Sequence, residues 1–188
     1  MTIHANDWQV HDRHGRRKYL NGTERGLFLS AADRHDPSTR ALCYVLAFTG
    51  CRVSEALALT HDHLDTELLK LRFRTLKRRR TVYRFIPVPP VVVELLSALP
   101  MVQDGHFWPM HRGTAWRHIR AVMDDAGITG PMACCRGLRH AYGIQAVTKG
   151  VPPTVLQRLL GHADIATTLI YVDAVGIEER GLVERMWS

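Results

Sequence analysis

Four short stretches place charged and protic side chains where folding alone has no use for them. Thr49-Gly50-Cys51-Arg52-Val53-Ser54-Glu55 sets an arginine just after a glycine break, at the start of a helical turn. A cation there opposes the helix dipole, so something other than the helix must favour it. Glu55, three residues on, is within side-chain reach to hold it in one rotamer. Leu76-Lys77-Arg78-Arg79-Arg80 crowds cations into the tip of a hairpin. They repel one another unless an anion is near, and a duplex backbone is such an anion. Arg136-Gly137-Leu138-Arg139-His140 opens a helix with two arginines one turn apart on one face. The free N–H groups of a helix start add to an anion site. In the run from Leu159-Leu160-Gly161-His162 to Tyr171, a glycine break precedes a histidine, and a short helix presents the tyrosine nine residues later. The chemistry these side chains share is the binding of an anion beside a hydroxyl and an imidazole. Each stretch alone also has a plainer reading. The first is a surface ion pair worth well under ~1 kcal/mol, and the second a solvated basic loop. The third is two exposed arginines with a capping histidine, and the fourth a tyrosine tied to the backbone.

The hydrophobic pattern supplies the elements that would carry these stretches. Thr23 is placed to cap a first helix with Leu27, Phe28 and Ala31 on its apolar face. Asp36-Pro37-Ser38 opens a second, with Leu42, Val45, Leu46 and Thr49 in one stripe and Gly50 at its end. A third helical turn runs from Arg52 to about Leu59. From Glu67 the period changes: Leu69, Leu71 and Phe73 alternate with Lys70, Arg72 and Arg74, a strand with a basic outer face. Residues 82–87 return beside it, so the cation-rich tip closes a β-hairpin. Pro89 and Pro90 start a helix carrying Val92, Val93, Leu95 and Leu96. Residues 114–126 are amphipathic, with Trp116, Ile119 and Val122 or Met123 inward, and 137–149, 152–160, 165–172 and 176–187 also read as helices. The expected fold is a mainly helical α+β domain with one small β-hairpin. Residues 1–18 lack an apolar period and read as a flexible N-terminal tail, leaving 19–188 as the single domain.

Composition narrows the partners. The chain has 188 residues, enough for one domain, and an apolar fraction of 46%. Lysine and arginine outnumber aspartate and glutamate by 25 to 18, a balance that favours a polyanionic partner. No apolar run is long enough to span a bilayer, and the N-terminus is polar, so a cytoplasmic protein is expected. Cys43, Cys51, Cys134 and Cys135 form no CxxC pair, which argues for reduced thiols rather than a zinc site or disulfides. His61-Asp62-His63 lacks the further ligands a metal needs. No P-loop, DxD or HExxH motif is present, and no cofactor is expected.

Taken in order, the four stretches resemble the tyrosine recombinase family, also called the phage integrase family. That family carries an arginine in a TGxRxSE-like turn, a lysine in a β-hairpin, an HxLRH box, an LGH box and a terminal tyrosine. This chain reads TGCRVSE at 49–55, Lys77 in the hairpin, RGLRH at 136–140, LLGH at 159–162 and TTLIY at 167–171. The resemblance spans about Leu20 to Trp187 and implies the recombinase catalytic-domain fold. In length it is more similar to the short recombinases that invert fimbrial promoter segments than to long phage integrases, with no separate N-terminal core-binding domain. It implies that Arg52 and Arg139 bind the scissile phosphate and that Lys77 protonates the leaving 5′ oxygen. His162 would hydrogen-bond the phosphate, Tyr171 would be the nucleophile, and Glu55 would orient Arg52, with His140 a second supporting residue. Arg74, Lys77, Arg78, Arg79 and Arg80 would contact duplex DNA. The family works as a DNA-bound tetramer, so a homo-oligomer docking through the helix expected over 176–187 is implied, with an accessory protein supplying further grip on DNA. One position departs from the pattern. Arg136 stands where the family usually has a histidine that helps take the tyrosine's proton. A guanidinium stays protonated and cannot be a base, although it can bind phosphate and lower a tyrosine's pKa by charge.

The implied reaction needs no metal. An oxygen nucleophile must lie in line with the leaving oxygen, charge on the non-bridging oxygens must be neutralised, and the departing alkoxide needs a proton. Two guanidiniums suit the second task, since each forks onto two oxygens and keeps its charge. A 3′-phosphotyrosine then stores the bond for resealing. Two other readings stand beside this one. Arg136 favours a weak or inactive DNA-binding or accessory protein on the same fold, and a type IB topoisomerase shares the chemistry.

Overall fold

The computed structural model describes residues 9–77, 80–102, 104–174 and 187; for 75–77, 80 and 81 it describes the backbone only. The first two helices begin where the sequence offers a side chain to hold free N–H groups. Asn21 caps α1 (Gly22–Ala32), accepting from the Glu24 N–H at 2.8 Å while the Glu24 carboxylate accepts from the Asn21 N–H at 2.8 Å. Thr23, expected as the cap, therefore lies inside the helix. Leu27 is half exposed, because the buried face is Phe28, Ala31 and Ala32. Asp36 caps α2 (Pro37–Thr49), which is buried on nearly every side and forms the centre of the core. A single turn, α3 (Val53–Leu57), follows Gly50 and stops short of Leu59.

The β region is a three-stranded antiparallel sheet in the order β1 (Leu64–Asp65), β2 (Lys70–Lys77), β3 (Arg80–Pro87). The hairpin forms as expected, in the register Lys70↔Pro87 to Lys77↔Arg80. The short β1, which pairs Leu64 with Leu71, extends it. Leu69 precedes the strand at φ 50°. Leu71 and Phe73 face the core, while Arg74 is exposed on the outer face and Arg72 lies over the Tyr83 ring. The hairpin tip is where the expected DNA contacts fall. Arg78 and Arg79, and the side chains of Lys77 and Arg80, lie outside the described residues.

Of the remaining helices, α4 (Pro90–Ser97), α5 (Arg112–Asp125) and α6 (Cys135–Thr148) pack on α2, and α7 (Pro153–Leu160) and α8 (Ala166–Ala174) pack on α6 and on each other. On α5 the buried residues are Ala115, Ile119, Val122 and Met123; Trp116, one position out of that stripe, is 51% exposed rather than inward. Helix α6 packs between α2 and α8. Within the span expected to be a tail, residues 9–18 form a turn in which the Lys18 N–H donates to the Val10 carbonyl at 2.8 Å. Val10 is buried beside Leu156, Leu160 and Tyr171. The helix expected over 176–187 lies outside the described residues except for Trp187. No described helix is long and apolar enough to cross a membrane.

Candidate active site

The site begins at two glycines that end helices. Gly50 closes α2 at φ 60° and Gly161 closes α7 at φ 67°, the left-handed region where a side chain is strained. A Cβ on Gly50 would also stand 2.7 Å from the Tyr142 ring of α6. These turns present two carbonyls at helix C-termini, where a cation is favoured. Arg139 of α6 takes both: Nη1–H donates to the Gly50 carbonyl at 2.7 Å and Nη2–H to the Leu160 carbonyl at 2.9 Å. The guanidinium thus ties the turn that leads into Arg52 to the turn that leads into His162. Arg139 is 5% exposed, and among the described residues no carboxylate pairs with it. Burial, with Arg52 nearby, pushes its pKa down to about 10, so it remains charged at neutral pH.

Arg52 keeps a partly exposed side chain, with Nη1–H donating to Glu55 at 3.2 Å and the backbone N–H donating to the same carboxylate at 2.7 Å. Glu55 has a stronger partner that sequence reasoning missed. Arg84 of β3 donates from Nη1 at 3.0 Å and Nη2 at 2.7 Å to its two oxygens, and from Nε to the Leu159 carbonyl at 3.0 Å. Burial drives the Glu55 carboxyl up, but the hydrogen bonds and charge of Arg84 outweigh it and hold the pKa below the usual carboxylate value. Glu55 therefore anchors Arg52 from a platform that spans α3, β3 and α7. The signal for Arg84 was its phase. It shares a strand face with Ile86 and sits opposite Phe73, a core position where an arginine needs a buried anion.

His162 and Tyr171 both feel the charge of Arg139. His162 Nδ1 and the Thr168 hydroxyl are hydrogen-bonded at 2.8 Å, and Nε2 is buried with no partner among the described residues. The ring stacks on Tyr171, with centroids 6.3 Å apart and planes 18° from parallel. Burial first, then Arg139 and Arg52, pushes the imidazole down to about 3, so it is neutral. Tyr171 is 1% exposed, and its hydroxyl is hydrogen-bonded to His140 Nδ1 at 3.2 Å. Burial raises its pKa to about 12 against the pull of Arg139 and Arg52, so the phenol is protonated. The ring rests on Gly143, where a Cβ would come within 2.7 Å of three ring atoms. Thr168 and Gly143 were not singled out by the sequence reading. Their signal was the spacing that puts 140 and 143, and 168 and 171, one turn apart on their helices.

Arg52, Glu55, Arg139, His140, His162 and Tyr171 thus converge from four places in the chain. Arg136 does not share the buried face of Arg139. It stands exposed near the start of α6, just before residues 137–141, which are all buried. Its charge still reaches His140. Lys77 ends β2 opposite Arg80, and its side chain is outside the described residues. A groove of about 530 Å³ beside His162, walled by Tyr83, Phe85, Gln157 and Gly161, leads toward the cluster.

Residues 18–175 match the Phage integrase family. The chain belongs to that family. Among its relatives, tyrosine recombinase XerD of Corynebacterium glutamicum is 28% identical over 169 residues, which are 81% of this chain and 55% of that protein. XerA recombinase has a similar structure, with TM-score 0.73 at 26% identity over 81% of this chain and 59% of that one. XerH recombinase, seen bound to a palindromic difH substrate in a post-cleavage complex, matches in fold with TM-score 0.75 at 19% identity, over 94% of this chain and 60% of that one. The family member described here is the mainly helical tyrosine recombinase catalytic domain with its small antiparallel sheet, and it spans about half the length of the curated relatives it matches.

Proposed function

We propose that this family member cuts and rejoins duplex DNA through a covalent 3′-phosphotyrosine at Tyr171, without a metal. The observation that carries the reading is the buried cationic point at Arg139, which no described carboxylate pairs with, together with Arg52 and the His162–Tyr171 stack that feel its charge. A scissile phosphate would supply the anion that this point lacks. Arg52 and Arg139 would hold its non-bridging oxygens. His162, with Nδ1 tied to Thr168, would donate from Nε2, and Lys77 would protonate the leaving 5′ oxygen. Arg136 would add charge at the edge of the site, and Arg74 with Lys77–Arg80 would grip the backbone. XerH is seen on its DNA after cleavage, and DNA cleavage is carried to this chain as part of the proposal. So are a DNA-bound tetramer docked through 176–187, an accessory protein, residues 19–188 as the catalytic unit, and a cytoplasmic setting.

Nicked suicide duplexes tiled from the DNA flanking the gene test it. The native protein is expected to be trapped as a covalent protein–DNA species, and Tyr171→Phe to bind the same duplex without forming it. An adduct that persists in Tyr171→Phe would overturn the assignment of the nucleophile. Arg136 favours the second reading, a DNA-binding protein on this fold that no longer cuts, and binding without any adduct would support it. Relaxation of supercoils without paired sites would point instead to a topoisomerase.

A further inference from the structure

The base expected at position 136 is missing, and another imidazole already touches the reacting atom. His140 follows Arg136 by one helical turn. Its Nδ1 is the hydrogen-bond partner of the Tyr171 hydroxyl at 3.2 Å, and both residues are 1% exposed. The rings meet edge-on, 5.7 Å between centroids. Gly143, on the same face of α6, seats the Tyr171 ring so closely that a Cβ there would stand 2.7 Å from three ring atoms. His162 stacks on the ring with Nδ1 committed to Thr168, so it faces the phenol's plane rather than its proton.

We infer that His140 is the catalytic base of this chain, accepting the phenolic proton of Tyr171 at Nδ1 in place of the histidine that Arg136 replaces. The inference rests on the cleavage reading above. As the Oη–P bond forms, the proton passes from Oη to Nδ1. The P–O5′ bond breaks, and its electron pair leaves on O5′, which takes a proton from Lys77. On resealing, a 5′ hydroxyl attacks phosphorus and gives its proton to Lys77. The P–Oη bond breaks, and His140 returns its proton to Oη.

The surroundings suit this task only once DNA is bound. Burial first, then the charges of Lys18, Arg136 and Arg139, pushes His140 down to about 4, so the ring is neutral with a lone pair for the proton. Tyr171 on α8 and His162 in the turn before it are its further titrating neighbours among the described residues. An imidazolium formed there would be repelled by three cations, and an arriving phosphate offsets that repulsion. The phenol becomes acidic only as its oxygen bonds to phosphorus, so the transfer accompanies attack and does not precede it.

His140→Asn keeps an acceptor close to the position of Nδ1 but cannot carry the proton. With DNA affinity and thermal melting near native values, it is expected to form the suicide adduct about 10²–10⁴-fold more slowly. The native rate is expected to fall on the acid side as the imidazole protonates, and His140→Asn to lack that limb. Free imidazole is expected to restore adduct formation to His140→Ala but not to Tyr171→Phe. An His140→Asn protein that forms adduct at the native rate, with the acid limb intact, would reduce His140 to a positioning residue and overturn the inference while leaving the cleavage reading standing. A native protein that forms no adduct would overturn both.

Discussion

Two arginines are buried to similar depth in this chain, Arg84 at 9% exposure and Arg139 at 5%. Their surroundings differ in one respect. Arg84 forks onto the Glu55 carboxylate, so its charge is cancelled where it stands. Arg139 meets two helix-end carbonyls, and no described carboxylate closes on it. A buried charge without a counter-ion is costly, and an apolar residue of similar size would generally serve the fold as well or better. Arg84 is therefore explained by the architecture: it locks α3, β3 and the end of α7 together. Arg139 ties the ends of α2 and α7 with no described carboxylate to cancel its charge, and in the proposed function the DNA phosphate supplies that anion.

The comparison breaks most readily at the ion pair. Arg84→Met leaves Glu55 buried with only Arg52 to face it, and a loss of about 3–5 kcal/mol in denaturant unfolding is expected. A loss below ~1 kcal/mol would show that Arg84 is no more structural than Arg139. Arg139→Met removes a desolvated charge but leaves the Gly50 and Leu160 carbonyls without a donor, so its stability loss is expected to be smaller than that of Arg84→Met. Its suicide-adduct rate is expected to fall by ~10²–10³. Equal loss of stability in the two variants would erase the distinction. Gly143→Ala touches neither charge. The added methyl must displace the Tyr171 ring, at about 1–3 kcal/mol of overpacking, and adduct formation is expected to fall while DNA affinity holds.

Much of the site was legible because its turns are local. Gly50 and Gly161 break helices in sequence as they do in space, and Arg52 and His162 follow them at fixed distance. The stripe Leu42, Val45, Leu46 and Thr49 likewise marks the core face of α2. What sequence could not decide was the surroundings of each group. Arg136 and Arg139 are one turn apart, yet one is in water and the other in the core, because helix α6 is buried by neighbours far along the chain. Asn21 and Thr23 are both good caps; the Glu24 that follows Asn21 by three residues decided between them, and that signal was available. Trp116 was placed inward on size, whereas the stripe of α5 passes one residue away. Arg84 hid beside β2, a strand whose outer face already carries Arg72 and Arg74. The contact between His140 and Tyr171 joins two helices that only the tertiary fold brings together.

The smallest expected effect reads the two arginines through their histidine neighbours. In the unfolded chain, imidazoles take up protons below about pH 6.5. In the folded chain, His140 and His162 are pushed to about 4 and about 3, burial being the first cause in both. The unfolded state therefore binds more protons in that window, and stability is expected to fall with falling pH, by about 1.4 kcal/mol per pH unit for each such histidine. Glu55 acts in the same direction only below the ordinary carboxylate range, because its folded value is lowered. Urea unfolding at pH values between 6.5 and 5 thus reads histidines before that carboxylate. His63 is also pushed down, but Arg72 is the cation beside it, so it adds a background indifferent to Arg139. Arg139 is the first charge acting on His162, and Arg84 is the weakest of those named. Arg139→Met is therefore expected to raise the folded His162 value, so that the acid decline levels off at a higher pH, whereas Arg84→Met should lower the whole curve and leave that levelling point nearly unchanged. The reverse pattern would mean that Arg84, and not Arg139, carries the uncompensated charge at the centre of the site.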